Sequence, residues 1–249
     1  MRYAFAVSCA LTGFYPIHFA SAQAEESLAS KVVDPSAALS SVTVQDKAAF
    51  TRWDTDVGQN EVDVQPVLPW QSFGHLNILR LRVPYITDDP LGFTGLDAVQ
   101  AFNVTIVPRG NGLKLLGGIL FQFAPDHGQQ SGTFGMGPVL GGLKKVGEWN
   151  FGLLNQNIFG AHLSTSEFQP IASKAFSPKV SAALGDIQFV YDWEAGRWVS
   201  LPIGVQLNYI AALGKQPIRL FVNPQYNFRD LLGAPQFSTV FGMALLMVN

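Results

Sequence analysis

Polar side chains that recur at every second position are the residues of this sequence best suited to act on a solute. Glu61 and Asp63 alternate with valines, and Arg80 and Arg82 alternate with leucines. Because successive side chains of a β-strand point to opposite faces, each series would lie on one face of a strand. Charged side chains arranged around a pore select solutes by charge. The same residues could instead form a hydrogen-bonded core that makes the structure rigid, and the sequence leaves both interpretations open.

The candidate set extends over much of the chain. If the apolar faces of the strands point to lipid, the polar faces point inward and are predicted to line a lumen with Glu61, Asp63, Arg80, Arg82, Asn103, Asp186, Gln188, Asp192, Gln206, Asn208, Arg219, Asn223, Gln225 and Asn227. Charges of both signs inside one lumen would pair and narrow the path. Neutralising a selectivity residue should change ion preference, whereas neutralising a core residue should change stability.

Three other groups of residues suggest chemistry, but none carries a complete signature. His162 lies near Ser164 and Ser166, which would suit a Ser/His lipid hydrolase, yet the chain has no Gly-x-Ser-x-Gly elbow. His127 follows an aspartate in a loop and could bind a metal, although a solvated loop is the simpler interpretation. No helix follows the glycine-rich stretch 135–141, so it is not predicted to bind a nucleotide. The sequence therefore predicts no enzyme activity, no metal site and no cofactor.

Long alternating strands are the elements that would position the lumen candidates. From Ile218 to Phe228, apolar side chains fall on one face and mostly polar ones on the other. Several segments reach about ten residues, which a tilted strand needs to cross a bilayer. Twelve strands are predicted, at 41–50, 61–69, 75–86, 97–108, 113–124, 134–145, 149–161, 167–176, 184–193, 199–212, 216–228 and 236–248. Aromatic girdle residues are predicted near strand ends at Trp70, Tyr85, Trp149, Trp193, Trp198, Tyr209 and Phe228.

The connections support the same architecture. Short connections containing glycine or charged residues follow predicted strands two, four, six and ten, and longer ones follow strands one, three, five and eleven. This alternation is expected of an outer-membrane barrel with both termini in the periplasm. The connections after strands eight and nine break the rule, which points to a misplaced boundary there. We predict an all-β, antiparallel, up-and-down transmembrane β-barrel of about 12 strands; a soluble barrel or sandwich is the alternative.

The N-terminal segment and the composition predict that the protein is exported from the cytoplasm. Arg2 precedes an apolar stretch from Tyr3 to Ala20, and small residues follow it, so residues 1–24 are predicted to be a cleaved signal peptide. The single cysteine, Cys9, lies in that segment, so the exported chain would contain none. The 16 basic and 18 acidic residues nearly balance, which argues against a nucleic-acid partner. Residues 25–40 are predicted to form a periplasmic tail or plug, and residues 41–249 the barrel.

Five stretches in a fixed order resemble a known family, and they are Val64–Trp70, Gly135–Asn150, Ser166–Pro170, Trp198–Gly204 and Leu213–Ile218. The chain from about Pro35 onward resembles the outer-membrane transporter family named for the meta-pathway of phenol degradation. The resemblance implies an outer-membrane barrel with a transport role and no established catalytic residues. One departure concerns assembly, because the last strand ends at Asn249 rather than at the aromatic residue that the outer-membrane assembly machinery often reads.

These observations together predict a passive outer-membrane channel or transporter for small molecules, which the resemblance suggests are aromatic or hydrophobic. The expected partners are outer-membrane lipid, a small-molecule solute and the outer-membrane assembly machinery. Two alternatives remain: a non-conducting barrel that acts as a scaffold or surface-binding protein, and an outer-membrane lipid enzyme that uses Ser164 and His162.

Overall fold

The chain forms one antiparallel sheet that closes on itself. The computed structural model describes residues 27–54, 57–125, 132–231 and 234–247. Closure results from pairing between the first and last strands, in which Val44 lies opposite Met243. The predicted signal peptide, His127 and the C-terminal Asn249 lie outside the described residues. In the described ranges no helix is long and apolar enough to span a membrane.

The sheet contains sixteen strand segments that make up twelve barrel strands. In chain order they are β1 (Ser40–Arg52), β2 (Gln59–Ser72), β3 (His75–Asp88), β4 (Gly95–Leu96), β5 (Val99–Pro108), β6 (Leu113–Phe123), β7 (Phe134–Val146), β8 (Trp149–Gly160), β9 (Leu163–Ala175), β10 (Val180–Ala183), β11 (Phe189–Asp192), β12 (Arg197–Ser200), β13 (Pro202–Gly204), β14 (Gln206–Leu213), β15 (Gln216–Asn227) and β16 (Pro235–Met247). Three barrel strands are interrupted: β4 continues as β5, β10 as β11, and β12 as β13 and β14. The predicted fold class, an antiparallel barrel of about 12 strands, is confirmed.

The two ends of the barrel differ. The end that carries Ser40 and Met247 also carries the connections 73–74, 109–112, 147–148, 176–179 and 214–215, and we call it the terminal end. The opposite end, which carries most of the longer connections, is the loop end. The eighth barrel strand begins at Leu163, earlier than predicted, and the ninth begins at Val180. The long connection expected after strand eight is therefore a boundary error, and every connection at the terminal end is short. At the loop end the connections 161–162 and 193–196 are also short, so the predicted alternation does not hold there.

The ninth barrel strand bends into the barrel between β10 and β11. Ala183 pairs with Ser173 of β9, and pairing resumes where Phe189 lies opposite Phe168. Five residues, 184–188, thus lie opposite only four of β9, and one of those four is Pro170, which has no N–H to donate to a ladder. The extra residue takes the chain out of the sheet and carries Asp186 into the lumen.

The outer surface is apolar. All seven aromatic residues predicted for the girdles are exposed, from Trp198 at 38% to Phe228 at 62%. Leu153 on β8 and Phe241 on β16 are similarly exposed, and the adjacent Leu154 and Val240 are buried, as alternation requires.

The lumen has two unlike halves. The apolar half, on β3 and β5–β9, is the cluster Ile78, Phe102, Val104, Ile106, Leu116, Leu120, Val139, Leu143, Leu154, Ile158 and Leu163. The polar half, mainly on β1, β2 and β14–β16, includes the buried residues Thr43, Asp63, Gln65, Asn208, Asn223 and Gln225. The apolar half corrects the expectation that apolar faces point only to lipid, because β5–β8 carry apolar side chains on both faces.

Residues 27–39, which we call the inserted segment, lie inside the terminal end of the barrel. Its only helix in the described structure is the short α1 (Leu28–Lys31), whose Ala29 is fully buried against Ile210, Ala244 and Leu246. The barrel wall also holds the segment by polar contacts. Ser173 Oγ donates to the carbonyl of Val33 at 2.7 Å.

Candidate functional site

A cavity of about 220 Å³ lies between the two halves of the lumen. Its apolar wall includes Phe102, Val104 and Leu154, and its polar wall includes Gln206 and Arg219. Residues of the inserted segment line it as well, so the segment bounds the cavity on the side of the terminal end. The cavity therefore meets an apolar surface on one side and charged or amide groups on the other.

A second, smaller cavity of about 60 Å³ is polar. Five residues line both cavities and form what we call the constriction: Gln45, Gln65, Arg80, Asp186 and Gln206. At its centre, Arg80 Nη1 lies 3.5 Å from Asp186 Oδ1, and Gln169 Nε2 donates to the same carboxylate oxygen at 3.1 Å. This ion pair lies between the two cavities.

A tighter charge cluster lies beside the smaller cavity. Arg82 Nη2 donates to Glu61 at 2.6 Å, and Arg82 Nε lies 3.1 and 3.2 Å from the two oxygens of Asp63. Asp63 is only 1% exposed, so the positive charge of Arg82 neutralises a carboxylate that is almost inaccessible to water. Buried carboxylates of this kind require a partner. The geometry favours a structural role for this cluster over direct contact with a solute.

Unlike Arg82, the two arginines at the larger cavity, Arg80 and Arg219, each pack against an aromatic ring. The Arg80 guanidinium lies 4.7 Å from the centre of the Phe102 ring, and that of Arg219 lies 4.7 Å from the Phe221 ring. Arg219 Nη1 donates to the carbonyl of Val32 in the inserted segment at 3.3 Å. Among the described residues, neither Arg80 Nε nor Arg219 Nε has a hydrogen-bond acceptor.

The structure places most of the predicted lumen residues on the inner face. Gln188 lines the smaller cavity, Gln206 Nε2 donates to Asn208 at 2.7 Å, and Asn223 and Gln225 are buried beside the same cavity. These positions agree with the alternation in the sequence. They establish where the side chains lie, while a role in selectivity stays a prediction.

Three predicted residues have other positions or partners. The prediction for Asn103 is corrected, because Phe102 and Val104 take the inner face of β5, and the Asn103 amide oxygen accepts from Trp70 Nε1 at 3.3 Å on the outer surface. Asp192 lies at the loop end, where its carboxylate accepts from the Ala195 amide at 2.9 Å and closes a turn.

Asn227 is buried, but it holds the main chain of the loop end. Its side-chain oxygen accepts from the amides of Leu201 and Arg229, at 2.8 and 3.0 Å. Asp192 and Asn227 therefore have structural partners at the rim rather than a place beside either cavity.

Sequence reasoning missed part of the lumen. Gln65 shares the face of Glu61 and Asp63, so its alternation could have identified it. The buried pair Gln100 and Gln122, in which Gln100 Nε2 donates at 2.8 Å, lies on strands whose two faces are both mainly apolar and give little signal. The apolar wall of the cavity has no sequence signal of its own for the same reason.

The serine and histidine candidates His162, Ser164 and Ser166 line neither cavity. Ser166 faces outward on β9, where its hydroxyl donates to Asn157 at 2.6 Å and accepts from Trp193 Nε1 at 2.9 Å. His162 lies in the turn before β9 with a φ of 56°. The Ser166 proton is thus bonded to an amide oxygen rather than to a base. Within the described ranges, no cluster of three or more His, Cys, Asp or Glu side chains is placed to hold a metal ion.

The barrel and its lumen define a fold of the outer-membrane β-barrel type. No family model and no curated protein matches the chain. Among solved structures, outer membrane phospholipase A from Escherichia coli is similar at 8% identity and a TM-score of 0.48, over 84% of this chain and 90% of that one. The Salmonella typhi phospholipase gives 8% and 0.47, over 89% and 99%. A mutant Rhodopseudomonas blastica porin gives 10% and 0.34, over 84% and 99%. At these identities the likeness concerns the fold alone.

Proposed function

We propose that this protein is a passive outer-membrane channel for small hydrophobic molecules. The observation that carries the proposal is the cavity of about 220 Å³, one wall of which is built from the apolar half of the lumen. An apolar cavity of about 150 Å³ is large enough to bind benzene. A molecule the size of a single substituted ring therefore fits.

The outer surface supports a location in the outer membrane. Exposed side chains such as Phe151, Leu207 and Phe241 form an apolar exterior that would be unfavourable in water but suits lipid. The predicted signal peptide and the resemblance to the phenol-degradation transporter family support the same location. The outer-membrane assembly machinery is then the expected partner for insertion.

Transport by this barrel would be diffusion down a gradient, without a cofactor or a chemical step. A solute that moves between the two ends must pass the constriction at Arg80 and Asp186 and the inserted segment. The contact between these two side chains is long, at 3.5 Å, so it can open at small cost. We propose that the inserted segment acts as the plug and moves aside during passage.

Uptake by intact cells tests the proposal, because the lipopolysaccharide layer slows hydrophobic solutes that cross bare lipid freely. Cells that produce the protein should take up radiolabelled toluene faster than cells that lack it. Leu154→Trp should abolish the gain, because Leu154 lines the cavity and the larger side chain fills it. Leu153→Trp is the matched control, since the neighbouring residue points outward and is 48% exposed.

Two results would contradict the proposal. One is an uptake rate that the protein does not change although it is correctly inserted. The other is an equal rate with Leu154→Trp and Leu153→Trp, which would separate transport from the cavity. Heat-modified electrophoretic mobility of each variant reports whether the barrel has folded.

A non-conducting barrel is the second candidate, and one observation favours it. The inserted segment fills the terminal end of the lumen, where Ala29 and Ala244 are completely buried. A scaffold of this kind would insert into a planar bilayer under a salt gradient without discrete current steps and would leave toluene uptake unchanged. Current steps, or faster uptake, would exclude it.

A further inference from the structure

The larger cavity is lined by apolar groups and by charged groups, and a purely hydrophobic solute would use only the apolar ones. Its apolar wall includes Val104, Leu116 and Leu154, whereas Arg80 and Arg219 line it from the polar side. Burying a cation beside an apolar surface is costly unless an anion compensates it. The charges around the cavity therefore decide which solute fits.

Cations outnumber available anions at this cavity. Lys31, Arg80 and Arg219 line it together with two carboxylates, Asp34 and Asp186. Asp34 is already paired with Lys114 at 3.2 Å. Among the residues that line the cavity, this leaves Asp186 as the counter-charge for the two arginines, and it contacts Arg80 only at 3.5 Å.

Neither arginine has acceptors for all its donors. A guanidinium carries five N–H donors. In the described part of the chain, Arg80 donates to Asp186 and Arg219 donates to the carbonyl of Val32, and the Nε of each is without an acceptor. Phe102 and Phe221 cover one face of each guanidinium and hold its plane at the cavity. A carboxylate that enters the cavity would accept charge-assisted hydrogen bonds from the outer Nη groups of these guanidiniums, which are already in place.

We propose that this cavity is a binding site for a small amphipathic anion, with an apolar body of about one ring and a single carboxylate. The carboxylate contacts Arg80 and Arg219, and the ring packs on the apolar wall at Phe102 and Leu154. This inference rests on the proposed function and names its solute class. Asp186 competes with the ligand carboxylate for Arg80.

Binding to the purified full-length protein in detergent tests the inference without requiring transport. The probes are benzoate and benzyl alcohol, which share a ring but differ in charge, measured by isothermal titration calorimetry. Benzoate should bind at least about tenfold tighter, since hydrogen bonds to charged groups are worth roughly twice those between neutral groups. Arg80→Met and Arg219→Met should each remove most of this preference while benzyl alcohol binding is kept.

Two further variants make the test independent of misfolding. Asp186→Asn removes the competing carboxylate and should tighten benzoate binding several-fold, a gain that a damaged protein would not show. Arg229→Met is the matched control, because Arg229 lies at the loop end, where its Nε donates to the carbonyl of Trp198, and it lines neither cavity. It should leave both affinities unchanged.

The outcomes separate the two proposals. Equal affinity for both probes, no binding of benzoate to the parent protein, or weaker benzoate binding in Asp186→Asn would each overturn the anion site. Toluene uptake that persists in that case would leave the hydrophobic channel intact. Tight benzoate binding without any solute uptake would instead support the site and refute the channel.

Discussion

Replacing Lys114 by methionine tests how firmly the barrel holds the inserted segment. Lys114 Nζ lies 3.2 Å from Asp34 and donates to Ser36 Oγ at 2.6 Å, and methionine keeps most of the side-chain volume without the charge. Asp34 retains its bonds from the Ser36 hydroxyl and amide, so its carboxylate is not left without a donor. The variant should therefore weaken the attachment without unfolding the barrel.

The size of the effect follows from these contacts. A net hydrogen bond contributes about 1 kcal/mol, and an ion pair that is partly exposed contributes up to about 1 kcal/mol. The lysine is 36% exposed and Asp34 11%, which places the sum at about 1–2 kcal/mol. Because about 1.4 kcal/mol changes an equilibrium tenfold, the withdrawn fraction of the segment should rise about tenfold.

Thiol labelling measures that fraction directly. With Cys9→Ser and Ala29→Cys, the only thiol lies at a position that is fully buried in α1. When the segment returns faster than the reagent reacts, the labelling rate is proportional to the withdrawn fraction. Lys114→Met should therefore accelerate labelling about tenfold. Ile158→Cys, buried in β8 towards the loop end and lining neither cavity, reports opening of the barrel itself and should not be accelerated.

Glu148→Gln is the matched control for the ion pair. Glu148 lies at the terminal end, is 76% exposed, and pairs at 2.9 Å with Lys174 of β9 in the barrel wall. A hydrogen bond from Lys174 and its positive charge lower the pKa of Glu148, so this carboxylate is charged at neutral pH. An unchanged labelling rate in Lys114→Met, or an equal acceleration in Glu148→Gln, would refute the assigned role of Lys114.

Three further predictions concern stability and assembly. Arg82→Met should lower the free energy of unfolding by about 3 kcal/mol in urea titrations, because Asp63 is left buried without a counter-charge. Adding Asp63→Asn to the same chain removes the buried charge and should restore part of the lost stability. Leu120→Ala should cost about 2–5 kcal/mol by the same titration, whereas Leu153→Ala should cost little, since the first is fully buried and the second faces the detergent. Gly137→Ala should reduce the yield of heat-modifiable barrel, because the new Cβ would lie 2.1 Å from a carbonyl oxygen of β8.

Much of the barrel was predictable, because one face of several strands is polar. In β15, polar and apolar residues alternate in the sequence, and this alternation correctly predicts that Asn223 and Gln225 face inward and Tyr226 faces outward. The boundary at Leu163 was not predictable from alternation alone. The residues between it and the predicted start at 167 are short polar side chains on both faces.

The site was harder to predict than the fold. Phe102 and Val104 flank Asn103, and alternation alone cannot tell which of the two faces points to lipid when the lumen itself is apolar. The inserted segment has a helix of only four residues, too short for a periodic signal. Its position depends on contacts with residues far along the chain, such as Ser173 and Arg219, which no local pattern encodes.

The bend at 184–188 makes the barrel wall unequal in local stability around its circumference. Between β6 and β7 an unbroken ladder runs from Leu113 to Phe123, whereas the ninth and tenth barrel strands are each divided into short segments. Amide protons in the divided sector should exchange with solvent through small local openings, while those of β6 should exchange only when a much larger unit opens. The barrel would then unfold from this sector first, and its slowest exchange would lie in the strands that carry the apolar half of the lumen.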